Sequence, residues 1–142
     1  RLNVGSLFPS VWAETVDGQD LSFRAPDGGY LLAYAWTTWF SSCQPEVSAE
    51  FEKLWPQFKD RGLLMVGISV DYQKEDLLRY VKEHEIGFPQ VYNGADTTAG
   101  IMAELGIARA PLAVLVDATG TVVNVGKSAE ELSSFLERNL PT

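Results

Sequence analysis

The residue with the clearest chemistry in this chain is its single cysteine, Cys43. The segment before it, Tyr30–Trp36, is apolar enough to form a buried strand. The segment after it, Val47–Lys59, repeats apolar side chains at helical spacing. Cys43 is therefore predicted where a strand passes into a helix N-terminus. Free N–H groups and the helix dipole favour a nucleophilic thiolate there.

The rest of the composition argues against other kinds of functional site, which leaves the Cys43 thiol as the main candidate. One cysteine rules out an internal disulfide and a cysteine-rich metal site, and with His84 as the only histidine a zinc site is not expected. No cofactor is predicted either. The net charge of −8, from 19 acidic and 11 basic residues, argues against nucleic acid as a partner.

Length and composition predict a single domain over residues 1–142. Hydrophobic residues make up 46% and charged residues 21% of the chain, enough for a real core. No apolar run approaches the roughly 20 residues of a membrane span. The chain starts at Arg1 rather than Met. We therefore expect a processed or trimmed N-terminus, which is compatible with the removal of an export signal or membrane anchor.

Apolar strands and amphipathic helices alternate along the chain after an N-terminal hairpin that turns at Asp17–Gly18. This order predicts an α/β fold with a mixed central sheet flanked by helices. The predicted strands after the hairpin are Tyr30–Trp36, Leu63–Val70, Gln90–Tyr92, Leu112–Asp117 and Thr121–Val125. The predicted helices are Val47–Lys59, Glu75–Glu85, Thr97–Leu105 and one that opens with a capping box at Ser128–Glu131.

Local signals around Cys43 refine the predicted helix. Ser41 or Ser42 is the expected N-cap, and Pro45 fits the first turn, where its missing N–H costs little. Pro56 is expected to kink or end the helix near Trp55.

The segment around Cys43 resembles the active site of thioredoxin-like proteins, in particular the TlpA/ResA branch, which is related to redoxin and AhpC/TSA proteins. That pattern is Trp-x-x-Trp-Cys-x-x-Cys followed by a Glu three residues later. Trp36, Trp39, Cys43 and Glu46 match it, with Cys43 in the place of the second cysteine. Phe40 stands where the first, nucleophilic cysteine would be.

The resemblance extends along nearly the whole chain. Segments 17–22 and 66–71 are similar to an early hairpin and a core strand of the family, and Gly106–Pro111 is similar to its proline loop. In the family this proline follows a cis peptide bond and exposes backbone that pairs with a substrate chain. The resemblance therefore implies a thioredoxin-like fold, a cis Ala110–Pro111 bond and a protein or peptide thiol or disulfide as partner.

With Phe40 at the first position, three interpretations of Cys43 stay open. It is a small buried inert residue, a monothiol that forms mixed disulfides resolved by an external thiol, or a peroxidatic cysteine as in peroxiredoxins. The last needs a threonine at position 40 and a nearby arginine, for which Arg109 is the candidate. The resemblance implies a proton-shuttle role for Glu46, whose simpler interpretation is a first-turn carboxylate that favours the helix dipole.

A further alternative is a non-catalytic module that binds a peptide or partner domain. Trp39, Phe40 and Pro111 would form its apolar groove, with the Ala110–Pro111 backbone beside it. His84, between two glutamates, is expected to be a solvated helix residue. Because members of the resembled branch mostly work outside the cytoplasm, the resemblance implies a periplasmic or other extracytoplasmic bacterial protein, tethered to a membrane in some members.

Overall fold

A five-stranded mixed sheet organises the protein in the computed structural model, which describes residues 2–142. Arg1, on which the expectation of a processed N-terminus rests, lies outside the described residues. The sheet has the strand order β5-β4-β3-β6-β7, and β1 and β2 form a separate antiparallel hairpin. The strands are β1 (Trp12–Glu14), β2 (Asp20–Ser22), β3 (Tyr30–Trp36), β4 (Leu63–Ser69), β5 (Gln90–Tyr92), β6 (Leu112–Asp117) and β7 (Val122–Val125).

The middle of the sheet is built from the most apolar segments of the chain. β3 pairs in parallel with β4 and antiparallel with β6, while β5 runs parallel to β4 and β7 antiparallel to β6. Because successive side chains of β3 point to opposite faces, Leu31 and Ala33 enter one core and Leu32 and Tyr34 the other. The predicted α/β class, mixed sheet and N-terminal hairpin are confirmed.

Helices cover both faces of this sheet. They are α1 (Thr38–Cys43), α2 (Pro45–Glu52), α3 (Leu54–Phe58), α4 (Lys74–Glu83), α5 (Gly100–Leu105) and α6 (Ala129–Asn139), with a 3₁₀ turn at Lys59–Arg61 after α3. The capping box that opens α6 is confirmed, with the Ser128 hydroxyl accepting from the Glu131 N–H at 3.1 Å.

The single helix predicted over Val47–Lys59 is wrong, because α2 and α3 share that segment. The break falls at Lys53, ahead of the kink expected near Trp55. Pro56 has no N–H for the carbonyl of Glu52, and its ring crowds that carbonyl, so the distortion appears before the proline.

Two further helices are shorter than predicted, for local reasons. α4 ends at Glu83 rather than Glu85, since Glu85 adopts a left-handed backbone with φ 52°. α5 begins at Gly100 rather than Thr97. The Asp96 carboxylate accepts both the N–H and the hydroxyl of Thr98, at 2.9 and 2.6 Å, which stabilises a turn instead of helix.

Candidate active site

The short helix α1, which contains Cys43, begins two residues after the end of β3. Thr37 is its N-cap, with a side-chain oxygen that accepts from the Phe40 N–H at 2.9 Å, so neither Ser41 nor Ser42 caps a helix as predicted. Cys43 is the last residue of α1, and the next N–H, from Gln44, donates to the Phe40 carbonyl at 2.8 Å. The predicted position of Cys43 at a helix N-terminus is therefore wrong.

A proline causes this difference. Residues that precede proline avoid the helical region, and Gln44, before Pro45, has φ −127° and ψ 62°. The helix consequently stops at Cys43 and a new one, α2, starts with Pro45 at its first position. Glu46 lies in the first turn of α2 and is exposed.

Cys43 is exposed to solvent, so the interpretation of Cys43 as a buried residue is wrong. The helical repeat explains why. Ser41 points inward and is buried, and two residues further along a helix the side chain has turned to the opposite side. The thiol is therefore accessible to reagents and partners.

Phe40 and Pro111 meet in one cleft, as the predicted groove requires. The Phe40 side chain is half-buried, and the Ala110–Pro111 peptide bond is cis, as the resemblance implies. Ala110 is half-buried and packs against the core on one side of the sheet. The remaining walls include Tyr34, Val47, Phe51, Arg109, Leu112, Lys127 and Glu131.

Trp39 does not join that cleft, which corrects the predicted Trp39–Phe40–Pro111 groove. Its side chain is 74% exposed and lines a separate cavity with Ser42, Asp71, Tyr72 and other residues. Successive residues of α1 point in different directions, so Phe40 and Trp39 serve two neighbouring surfaces rather than one.

The start of α1 is held by Asp71, a residue that the sequence did not single out for the site. This buried carboxylate accepts the N–H and the hydroxyl of Thr38, both at 2.9 Å, and the Ser69 hydroxyl at 2.6 Å. Asp71 lies two residues after the end of β4, and an acidic residue close behind a buried strand was the available signal. It ties the Cys43 helix to the carboxyl edge of the sheet.

A second polar cluster lies beneath α1. Ser48 lies 2.8 Å from the Ser41 hydroxyl and 2.8 Å from the Glu52 carboxylate, which also accepts from the Tyr80 hydroxyl at 2.6 Å. Burial and then the hydrogen bond to Glu52 raise the pKa of Tyr80. This cluster, which joins α1, α2 and α4, was not predicted because helical spacing alone does not show that their polar faces meet.

His84 extends the cluster outward. It is exposed, as predicted, but its ring stacks on Tyr80 with centroids 3.8 Å apart and an interplanar angle of 17°.

Arg109, the candidate partner for a peroxidatic thiolate, donates to the Pro111 carbonyl at 3.0 Å.

Tyr34 gives the cluster a pH dependence that can be measured. Its hydroxyl is buried and has no hydrogen-bond partner within residues 2–142. Burial, followed by the charge of Glu52, raises its pKa above the usual 10.0. The folded state therefore keeps this proton when the unfolded state loses it. Stability is retained below pH 10 and falls above it, by up to about 1.4 kcal/mol per pH unit.

Tyr34→Phe should remove that part of the alkaline loss and change stability at pH 7 by no more than about 1 kcal/mol. Urea unfolding at pH 7 and above pH 10 measures both effects. Tyr72→Phe, at a tyrosine that is 88% exposed, is the matched control. An alkaline slope that is the same in Tyr34→Phe as in the wild type would contradict the prediction.

Within residues 2–142, no cluster of three or more His, Cys, Asp or Glu side chains could hold a metal ion. None of the helices in the same range is both long and apolar enough to cross a membrane.

Comparisons with known proteins find relatives that cover most of this chain. The chain is 22% identical over 144 residues to the thiol-disulfide oxidoreductase ResA of Bacillus cereus, covering 99% of this chain and 81% of the relative. A ResA from Halalkalibacterium halodurans is 23% identical over 127 residues, covering 87% of this chain and 70% of the relative.

Solved structures show the same architecture. The thioredoxin domain of a thiol-disulfide oxidoreductase from Bacteroides vulgatus superposes with a TM-score of 0.79 at 25% identity, over 99% of this chain and 100% of that one. A thiol:disulfide interchange protein from Bacteroides sp. gives 0.77 at 26% identity, over 96% and 90% of the two chains. The predicted thioredoxin-like fold is confirmed.

The sequence model of the AhpC/TSA family matches residues 4–125, which include Phe40, Cys43 and Pro111. The cis-proline loop, the helix that follows β3 and the relatives all agree with that match. The chain belongs to the AhpC/TSA family and is a thioredoxin-like relative of the ResA-type thiol-disulfide oxidoreductases.

Proposed function

We propose that the protein is a monothiol exchange protein, in which Cys43 forms mixed disulfides with the cysteine of a protein or peptide partner. The observation that carries this proposal is the exposure of Cys43 at the end of α1. The first cysteine of the related dithiol motif is replaced by Phe40, so a second thiol must come from outside the chain.

The proposed exchange has two balanced steps. The Cys43 thiolate attacks one sulfur of a partner disulfide, so that a new S–S bond forms and the other partner sulfur leaves as a thiolate. The proton of Cys43 passes to solvent or to the carboxylate of Glu46, the second residue of α2. An external thiol then attacks the mixed disulfide and releases Cys43 in its reduced form.

The surfaces beside Cys43 would hold the partner. Phe40 and Pro111 offer an apolar cleft, and the cis-proline loop places the Ala110–Pro111 backbone at its edge. An extended partner chain that pairs with this backbone would bring its cysteine toward α1. Following the TlpA/ResA resemblance, we place this activity outside the cytoplasm of a bacterium, with membrane tethering as one arrangement.

One experiment decides whether Cys43 does this chemistry. The native protein should react with iodoacetamide at neutral pH and release thionitrobenzoate from a peptide–thionitrobenzoate mixed disulfide, and Cys43→Ser should do neither. Ser134→Ala, at an exposed serine of α6 away from both clefts, is the matched control. A folded protein whose thiol reacts no faster than background would exclude the exchange function.

A second candidate function, a non-catalytic module that binds a peptide or partner domain, is favoured by the exposure of Trp39. In that case Cys43→Ser would leave partner affinity unchanged, whereas Trp39→Ala and Phe40→Ala would lower it. The peroxidatic alternative gains no support from the structure, since Phe40 fills the threonine position and Arg109 hydrogen-bonds to Pro111.

A further inference from the structure

We propose that the cavity between Trp39 and Tyr72, here called the aromatic cavity, binds a lysine or arginine side chain next to the cysteine of the partner. This inference rests on the proposed function, since it names the partner chemistry that would be recognised beside Cys43. The preference for a basic side chain involves neither the proline loop nor the thiol motif of the family.

The aromatic cavity exposes two large rings. Trp39 is 74% and Tyr72 88% exposed, and together with Val70 and the Ser42 and Thr37 side chains they enclose about 580 Å³. Long cationic side chains lay their methylene stems on apolar surface and place the charge over aromatic faces. Two exposed rings that flank one cavity offer both contacts.

The charges around the aromatic cavity are negative. Asp71 and Asp76 line it, and no basic residue does so within residues 2–142. Burial, followed by the charges of Asp71, Glu75 and Asp76, raises the pKa of Tyr92. The Tyr92 hydroxyl donates to the carbonyls of Asp71 and Tyr72 at 2.8 and 2.9 Å, which fixes the backbone that carries these two lining residues.

Nearby basic residues do not cancel this charge. Arg79 pairs with Asp76 at 3.2 Å, and with Lys74 counted as well, residues 71–79 still carry a net charge of −1. Residues 36–52, which contain α1 and Cys43, have three glutamates and no basic residue. A cationic side chain is therefore the complement of this surface.

The two clefts beside α1 differ in charge. Ser42, directly before Cys43, lines the aromatic cavity, whereas Phe40 lines the cleft that contains Arg109 and Lys127. Glu131 also lines the Phe40 cleft, 4.0 Å from Lys127, so Arg109 leaves that cleft with a net positive charge. A partner chain that reaches Cys43 would therefore meet net negative charge on the Trp39 side and net positive charge on the Pro111 side. This asymmetry selects a partner whose basic residue faces Trp39.

Matched peptides test the inference through Cys43. Each peptide carries one cysteine activated with thionitrobenzoate and differs only in a flanking lysine, leucine or glutamate. The Cys43 thiolate attacks the peptide sulfur, its proton goes to solvent, and the thionitrobenzoate leaves as a coloured thiolate with the bonding electron pair. We expect the lysine peptide to react about tenfold faster than the glutamate peptide, and the ratio to shrink in high salt.

Variants locate the effect. Trp39→Ala, Tyr72→Ala and Asp76→Asn should each reduce the lysine preference. Trp12→Ala, at a tryptophan that is 69% exposed on the hairpin, and Asp27→Asn, in the exposed loop before β3, should keep it. Equal rates for all three peptides, or an equally fast leucine peptide, would overturn the inference.

Direct binding separates this inference from the proposed function. Titration calorimetry uses the Cys43→Ser protein and peptides in which serine replaces cysteine, so no thiol chemistry is needed. A tenfold preference for lysine that Tyr72→Ala removes supports the inference even if Cys43 proves unreactive. Equal affinities overturn it, as would self-association of the wild type, seen by sedimentation, that Trp39→Ala abolishes.

Discussion

Phe40→Cys should convert the protein into a dithiol oxidoreductase, with disulfide turnover raised by about a hundredfold or more. Residues 40 and 43 lie three apart in α1, where the helical rise and radius place their Cα atoms about 5 Å apart, within the range for a disulfide. An internal thiol would then resolve the mixed disulfide in place of an external one, and intramolecular attack has a large effective concentration.

Reduction of insulin disulfides in the presence of dithiothreitol measures this gain, and the mass of the oxidised variant reports an internal bond by the loss of two hydrogens. Phe40→Ser is the matched control, since it removes the ring without adding a thiol. If Phe40→Cys turns over no faster than Phe40→Ser, the replaced cysteine is not what limits this active site.

Trp36→Ala should destabilise the fold by about 3–5 kcal/mol, the usual cost of removing a large buried aromatic side chain. Trp36 is 1% exposed, and its indole N–H donates to the Gln90 side-chain oxygen at 3.0 Å. Its ring contacts Tyr34 and Tyr80, with centroids 6.3 and 5.2 Å away. The substitution therefore leaves a cavity and an unpaired amide together.

Trp36→Phe separates these two costs. It keeps most of the ring but leaves the buried Gln90 amide without a side-chain partner, which we expect to cost about 1–3 kcal/mol. Trp12→Ala, at an exposed tryptophan, should change stability by about 0.5 kcal/mol or less. Urea unfolding of the three variants tests this order, and equal losses for Trp36→Ala and Trp12→Ala would contradict it.

Much of the fold follows from local patterns. The strands Tyr30–Trp36, Gln90–Tyr92 and Leu112–Asp117 have the predicted bounds, because runs of apolar residues between turn residues leave little choice of structure. The capping box at Ser128 was equally predictable, since its two hydrogen bonds join residues three apart. The single thiol and the replacement of the first motif cysteine by Phe40 can also be identified from the sequence alone.

Only the tertiary structure decided how the site is arranged. The exposure of Cys43 depends on which side of α1 packs against the core, where Ser41 is buried, and the anchoring of Thr38 by Asp71 joins residues 33 positions apart. Trp39 and Phe40 are separated because different segments flank α1, with Val70–Tyr72 beside Trp39 and the Pro111 loop beside Phe40. The sequence alone determined which groups can react. Their exposure and neighbours come from contacts between distant segments, which no local pattern encodes.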